Sequence, residues 1–78
     1  MSEYLELKSA FEKAEKDFTA AYRRARWLEH RLYNAGTEAE YSDLAAQLDR
    51  QEEQLKSLGI NLSRARFALA GADMNATA

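Results

Sequence analysis

The sequence contains no proline and no cysteine, and only three of its 78 residues are glycine. Without cysteine there is no disulfide framework, no thiolate metal site and no thiol nucleophile, and a reducing compartment is favoured. Because proline and glycine interrupt helices, their scarcity favours long helices, and the abundance of Ala, Leu, Glu, Arg and Gln points the same way. The composition therefore predicts a small all-α domain.

Long apolar runs and a basic charge balance are also missing. No apolar run approaches the roughly 18 residues of a membrane span, so we expect no membrane-spanning helix. The N-terminal MSEYLELK lacks the basic and apolar segments of a secretory signal, so we expect no such signal. The net charge of −2 argues against nucleic acid as a partner. The arginines of YRRARWLEHRLYNAG, residues 22–36, do not change this expectation, because they spread around a helix instead of lining one face.

Apolar residues recur at alternating spacings of three and four in two long series, as on the buried face of paired helices. The spacing predicts an antiparallel two-helix hairpin, coiled-coil-like, with helices over about 3–34 and 38–70. Residues 1–70 would form one domain, followed by a disordered tail over 71–78. The two series are Tyr4, Leu7, Phe11, Ala14, Phe18, Ala21, Ala25, Leu28 and Leu32, then Tyr41, Leu44, Leu48, Gln51, Leu55, Leu58, Leu62, Ala65 and Leu69.

The predicted turn lies in YNAGTEAEY, residues 33–41. Gly36 suits the left-handed position that follows a helix, and Thr37 with Glu40 has the spacing of a capping box. A turn this short makes the two helices antiparallel neighbours. Arg31 then comes beside Glu40, and we expect this pair to help orient the hairpin.

Two residues of the second helix are unusual for their positions. Gln51 is a polar member of the apolar series and faces Ala21 in the antiparallel register, where it could either fix that register or reach water at the edge. Gly59 costs a helix about 1 kcal/mol relative to alanine. It could mark a bend or a close approach by a partner backbone, although a tolerated glycine is the simpler interpretation.

Several large apolar residues fall outside the two series. A hairpin buries only one stripe per helix and small cores are marginal, so we expect some of these residues to contact another chain. Ordinary surface scatter is the alternative. The candidate partner-binding residues are Tyr22, Trp27, Tyr33, Ile60 and Phe67.

No catalytic pattern is present. His30 is the only histidine, it has no partner group at ligand or general-base spacing, and there is no glycine-rich phosphate loop. Two packed helices also lack a concave pocket of the usual size. We expect no catalytic residue, metal, cofactor or small-molecule substrate.

The run AGTEAEYSDLAAQLDRQEEQLKSL, residues 35–58, and the preceding YRRARWLEHRLYN resemble the small co-chaperones of bacterial type III secretion, the YscE/PscE/EscE/SsaE group. The resemblance covers roughly residues 20–60. It implies a non-enzymatic cytoplasmic hairpin that pairs with a helical-repeat (TPR-like) chaperone and keeps the needle subunit monomeric before export. The alternative is a self-associating hairpin, a four-helix bundle acting as a small adaptor or inhibitor, for example one encoded by a phage.

Overall fold

The protein is a hairpin of two α-helices. A computed structural model describes residues 2–77, apart from the side chains of Ser2 and of residues 75–77. Helix α1 spans Ser2–Tyr33 and helix α2 spans Glu38–Thr77, and they pack along one another in a rod of 60 × 15 × 14 Å. The predicted fold class is confirmed. Neither helix, within the described residues, has a stretch long and apolar enough to cross a lipid bilayer.

The seam between the helices follows the predicted spacing of three and four. Leu28 is the most deeply buried side chain, with 1% of its surface exposed, and Leu44, its partner in the predicted register, is also buried. The other seam residues are buried or half-buried, except for the end residues Tyr4 and Tyr41. Tyr41 lies opposite the end of α1, and Tyr4 lies in the first turn of α1. Burial is therefore deepest between Ala21 and Leu28.

Gln51 confirms the predicted register. Its side chain is 8% exposed, and its amide Nε2 donates a hydrogen bond of 3.4 Å to the backbone oxygen of Ala21 on the opposite helix. Of the two alternatives from sequence, the structure therefore favours the buried, register-marking role. Ala21 and Gln51 are the residues that the antiparallel pairing predicts as neighbours.

The turn forms where predicted, although Gly36 does not have the predicted role. The Thr37 hydroxyl accepts a 3.1 Å hydrogen bond from the Glu40 amide, so Thr37 caps the start of α2. Gly36 has no positive φ, and the left-handed stop predicted there is wrong. The end of α1 is closed instead by Asn34, whose side-chain amide donates to the His30 carbonyl at 2.9 Å. The carbonyls of Arg31 and Leu32 accept hydrogen bonds of 3.2 Å from the backbone amides of Asn34 and Ala35, so the end of α1 is satisfied without a left-handed glycine.

Helix α2 is longer than predicted. The sequence predicts a helix end near Ala70 and a disordered tail, whereas the structure continues the helix through Gly71 to Thr77. Apart from Gly71, residues 68–72 are strong helix formers, and Ala72 continues the seam spacing with a half-buried side chain. Gly71 also lacks a positive φ, so it does not end α2. Ala78 lies outside the described residues.

Gly59 packs against the ring of Phe18. A methyl group added at Gly59 would lie 3.4 Å from the nearest ring carbon, which is an ordinary van der Waals distance. Gly59 therefore contacts an aromatic ring of its own chain, and the contact leaves room for a small side chain.

We predict that Gly59→Ala raises the free energy of unfolding by about 1 kcal/mol, because alanine favours the helix and fits against Phe18. For a chain of this size the melting temperature would rise by about 4–8 °C. Thermal unfolding followed by circular dichroism, at one fixed protein concentration, measures it. Gly71→Ala is the matched comparison, since alanine there also favours the helix but its methyl group meets nothing within 4 Å, so it lacks the contact with Phe18. A lower melting temperature for Gly59→Ala than for the unmodified chain would contradict the prediction.

Candidate protein-binding surface

The side of α2 opposite the seam presents a row of six residues that are spaced seven apart in the sequence. We call this set the outer stripe: Ala39, Ala46, Glu53, Ile60, Phe67 and Met74. A step of seven residues turns a helix by nearly two full turns, so the six residues follow one line along α2. All six side chains are exposed.

The outer stripe is apolar and large at its C-terminal end. Ile60 is 50% exposed and Phe67 is 83% exposed. An isolated exposed apolar residue needs no explanation, whereas a row of them on a small protein indicates a surface that another molecule covers. Met74 extends the row by one more step and is also largely exposed. Sequence reasoning missed Met74 because it assigned residues 71–78 to a disordered tail.

The predicted aromatic candidates on α1 do not join the outer stripe. Tyr22 and Trp27 lie on different sides of α1, because a step of five residues is one full turn of a helix plus about 140°. Both are about half exposed, and Tyr33 is 93% exposed at the end of α1. In the register marked by Gln51, all three lie in the turn half of the rod, while Ile60 and Phe67 lie in the open half. The five candidates therefore form at least two separate surfaces.

The aromatic rings of α1 have partners within the chain. The Tyr22 ring stacks on Phe18 with the ring centres 6.4 Å apart. The Arg31 guanidinium lies over Trp27, 5.2 Å from the ring centre, at a distance typical of a cation–π contact. These contacts account for part of the burial of Tyr22 and Trp27, so the two rings give weaker evidence for a partner than Phe67 does.

The predicted pair between Arg31 and Glu40 is not formed. Two ion pairs lie within α1, joining Lys13 to Asp17 at 3.2 Å and Arg26 to Glu29 at 4.0 Å, and neither involves Arg31 or Glu40. The Arg31 guanidinium lies instead over the ring of Trp27, four residues earlier on the same helix. Hairpin orientation therefore depends on the apolar seam, on the short turn and on the overall charge distribution.

The charge distribution along α2 is strongly uneven. Residues 35–53 carry one arginine against six acids, a net charge of −5, and residues 54–78 carry three bases against one acid, a net charge of +2. The large apolar residues of the outer stripe thus lie in the basic half of α2 and its alanines lie in the acidic half.

In the described part of the chain, no group of three or more His, Cys, Asp or Glu side chains is arranged to hold a metal ion. His30 lines an open hollow with Arg26, Tyr33 and Leu48. The exposed apolar residues of the outer stripe are therefore the clearest candidate site on this surface.

Comparison with known proteins gives no relative for this chain: no family model, no curated protein and no solved structure matches it.

Proposed function

We propose that this chain is a non-enzymatic protein-binding hairpin and that the outer stripe of α2 is its binding surface. The observation that carries the proposal is the exposure of Ile60 and Phe67 two turns apart on the face opposite the seam. The seam already fixes the shape of the hairpin, so the stripe is not needed for folding. An apolar face on a rigid helix is a common way of docking onto the groove of a helical partner.

The specific role that we propose is the one implied by the sequence resemblance over residues 20–60. In this role the hairpin acts in the bacterial cytoplasm and pairs with a helical-repeat chaperone of type III secretion. Together they would hold the needle subunit monomeric before export. The apolar stripe supports the role, because a co-chaperone works by lending apolar surface to its partner.

A second candidate is a self-associating hairpin that serves as a small adaptor or inhibitor. It is favoured by the uneven charge of α2, since a second copy can bring the acidic half of one helix onto the basic half of the other.

The experiment that tests the protein-binding function is affinity capture from the native host, followed by mass spectrometry. We expect the tagged 78-residue chain to capture a protein other than itself, and Ile60→Asp to lose most of it, because a carboxylate in an apolar contact is costly to bury. Leu5→Asp, on a different helix, is the matched control and should capture normally. Equal capture by Ile60→Asp, with helicity unchanged by circular dichroism, would contradict the assignment of the surface.

A further inference from the structure

We propose that a second copy of this chain covers the outer stripe when no other protein does, with the two α2 helices packed antiparallel about a two-fold axis between Glu53 and Ile60. The proposal rests on the proposed function in one respect, namely that the outer stripe is a binding surface. It adds the occupant, the direction of packing and the register.

Side-chain size along the outer stripe is self-complementary. The residues before the axis are small, Ala39 and Ala46, and the residues after it are large, Ile60, Phe67 and Met74. A two-fold axis between Glu53 and Ile60 places Phe67 of one copy opposite Ala46 of the second. The same axis places Ile60 opposite Glu53 and Met74 opposite Ala39. Large residues set against small ones are what an interdigitating helix contact requires.

Charge supports the same direction. Antiparallel packing lays the half of α2 with a net charge of −5 along the half of the second copy with a net charge of +2. At the axis, Glu53 faces Ile60 of the second copy, which has Lys56 four residues before it and Arg64 four residues after it. Residues four apart are neighbours on a helix surface, so the carboxylate comes between two bases. Parallel packing would instead set acid on acid.

The exposed area is large enough for such a contact. The chain exposes 6273 Å², whereas a compact monomer of 8.9 kDa is expected to expose about 4,800 Å², an excess of about 1,500 Å². A standard stable interface needs about 800 Å² from each partner. The excess exposed area arises because the hairpin is a rod of 60 × 15 × 14 Å. A second copy that packs along the full length of α2 would bury more of this area than one that packs against an end of the rod.

Sedimentation velocity of the full chain over a range of concentrations tests the occupant. We expect a reversible dimer. A chain that stays monomeric at all concentrations would overturn the proposal, while capture of another protein through Ile60 would still stand. Conversely, a dimer whose outer stripe captures nothing else would contradict the proposed function and leave this inference intact.

Cysteine cross-linking tests the register, because the chain has no cysteine of its own. In the proposed dimer, the two copies of residue 57 lie at almost the same level, whereas the two copies of residue 63 are separated by about 20 Å along the axis, at 1.5 Å per residue. A short bis-maleimide should therefore join Ser57→Cys into a covalent dimer and should not join Ser63→Cys. Equal cross-linking of both variants, or cross-linking of Ser63→Cys alone, would overturn the register.

A matched pair of charge reversals tests the contact at the axis. Glu53→Lys should raise the dimer dissociation constant by about tenfold or more, since it places a third base beside Lys56 and Arg64 of the second copy. Glu52→Lys makes the same change of net charge one residue away from the outer stripe and should have a much smaller effect. Equal effects of the two variants would show that only net charge matters and would contradict the contact.

Discussion

Leu28→Ala is expected to lower the free energy of unfolding by about 2–5 kcal/mol, the largest effect on stability of any single substitution that we predict. Leu28 is the most deeply buried side chain, with 1% of its surface exposed, and the structure buries few other apolar residues as fully. Shortening it removes the apolar contact and leaves a cavity beside Leu44, which the two straight helices cannot easily close.

The size of this loss matters because the whole domain is small. Stabilities of about 0.05–0.15 kcal/mol per residue give a 78-residue chain about 4–12 kcal/mol in total. Leu28→Ala should therefore remove a large fraction of the stability, and it could leave the hairpin mostly unfolded at growth temperature.

Urea unfolding at fixed protein concentration measures the effect. Two variants keep the test meaningful if Leu28→Ala does not fold. Leu28→Met conserves volume and should cost less than about 1.5 kcal/mol. Leu5→Ala, at an exposed position, should change the stability by less than about 0.5 kcal/mol. The account of the seam would be wrong if Leu28→Ala and Leu5→Ala were equally stable.

Gln51→Leu is expected to raise the free energy of unfolding by about 0.5–2 kcal/mol. Burying a leucine side chain contributes about 1.5–3 kcal/mol, and the hydrogen bond that is lost contributes about 1 kcal/mol. The bond from Gln51 to the Ala21 oxygen is long, at 3.4 Å, and the same oxygen can still accept the helical bond from the amide of Ala25. Removing the glutamine therefore leaves no acceptor without a partner.

The gain in stability should come with a loss of structural specificity. A polar residue at one seam position favours a single register, because in shifted registers its amide would be buried without a partner. Gln51→Leu should therefore show a higher melting temperature and additional association states in sedimentation. Gln54→Leu, at an exposed position of the same helix, is the matched control and should change neither. A lower melting temperature for Gln51→Leu would contradict our interpretation of this residue.

The seam could be predicted from sequence because it depends on a periodic pattern. Alternating spacings of three and four fix which faces meet, and a short turn fixes the antiparallel direction, so the pairing of Ala21 with Gln51 follows from residue spacing alone. Thr37 was predictable for a similar reason, since its capping role depends on residues three positions apart.

The features that the sequence did not predict depend on competition between local interactions. Gly36 matches the usual signal for the end of a helix, but the last carbonyls of α1 accept hydrogen bonds from Asn34 and Ala35 without it. Residue spacing pairs Arg31 with Glu40 across the turn, whereas the Arg31 guanidinium lies over Trp27 on its own helix. Spacing alone does not rank such alternatives, because each is worth about 1 kcal/mol or less.

The candidate binding surface could be predicted only in part. Ile60 and Phe67 stand out in the sequence as apolar residues outside the seam, whereas Met74 falls within residues 71–78, which the sequence analysis assigns to a disordered tail. Tyr22 and Trp27 were grouped with them because sequence does not show that these rings lie against Phe18 and Arg31.

Side-chain footprinting tests most directly whether another molecule covers the outer stripe. The protein purified from its native host, with whatever binds it, would be exposed to a carbene or hydroxyl-radical reagent and compared with the same chain diluted to a monomer. We predict that Ile60 and Phe67 are protected in the native preparation, whether the occupant is a chaperone or a second copy, while Tyr33 reacts equally in both. Protection of Tyr33 with Ile60 and Phe67 fully reactive would contradict the account.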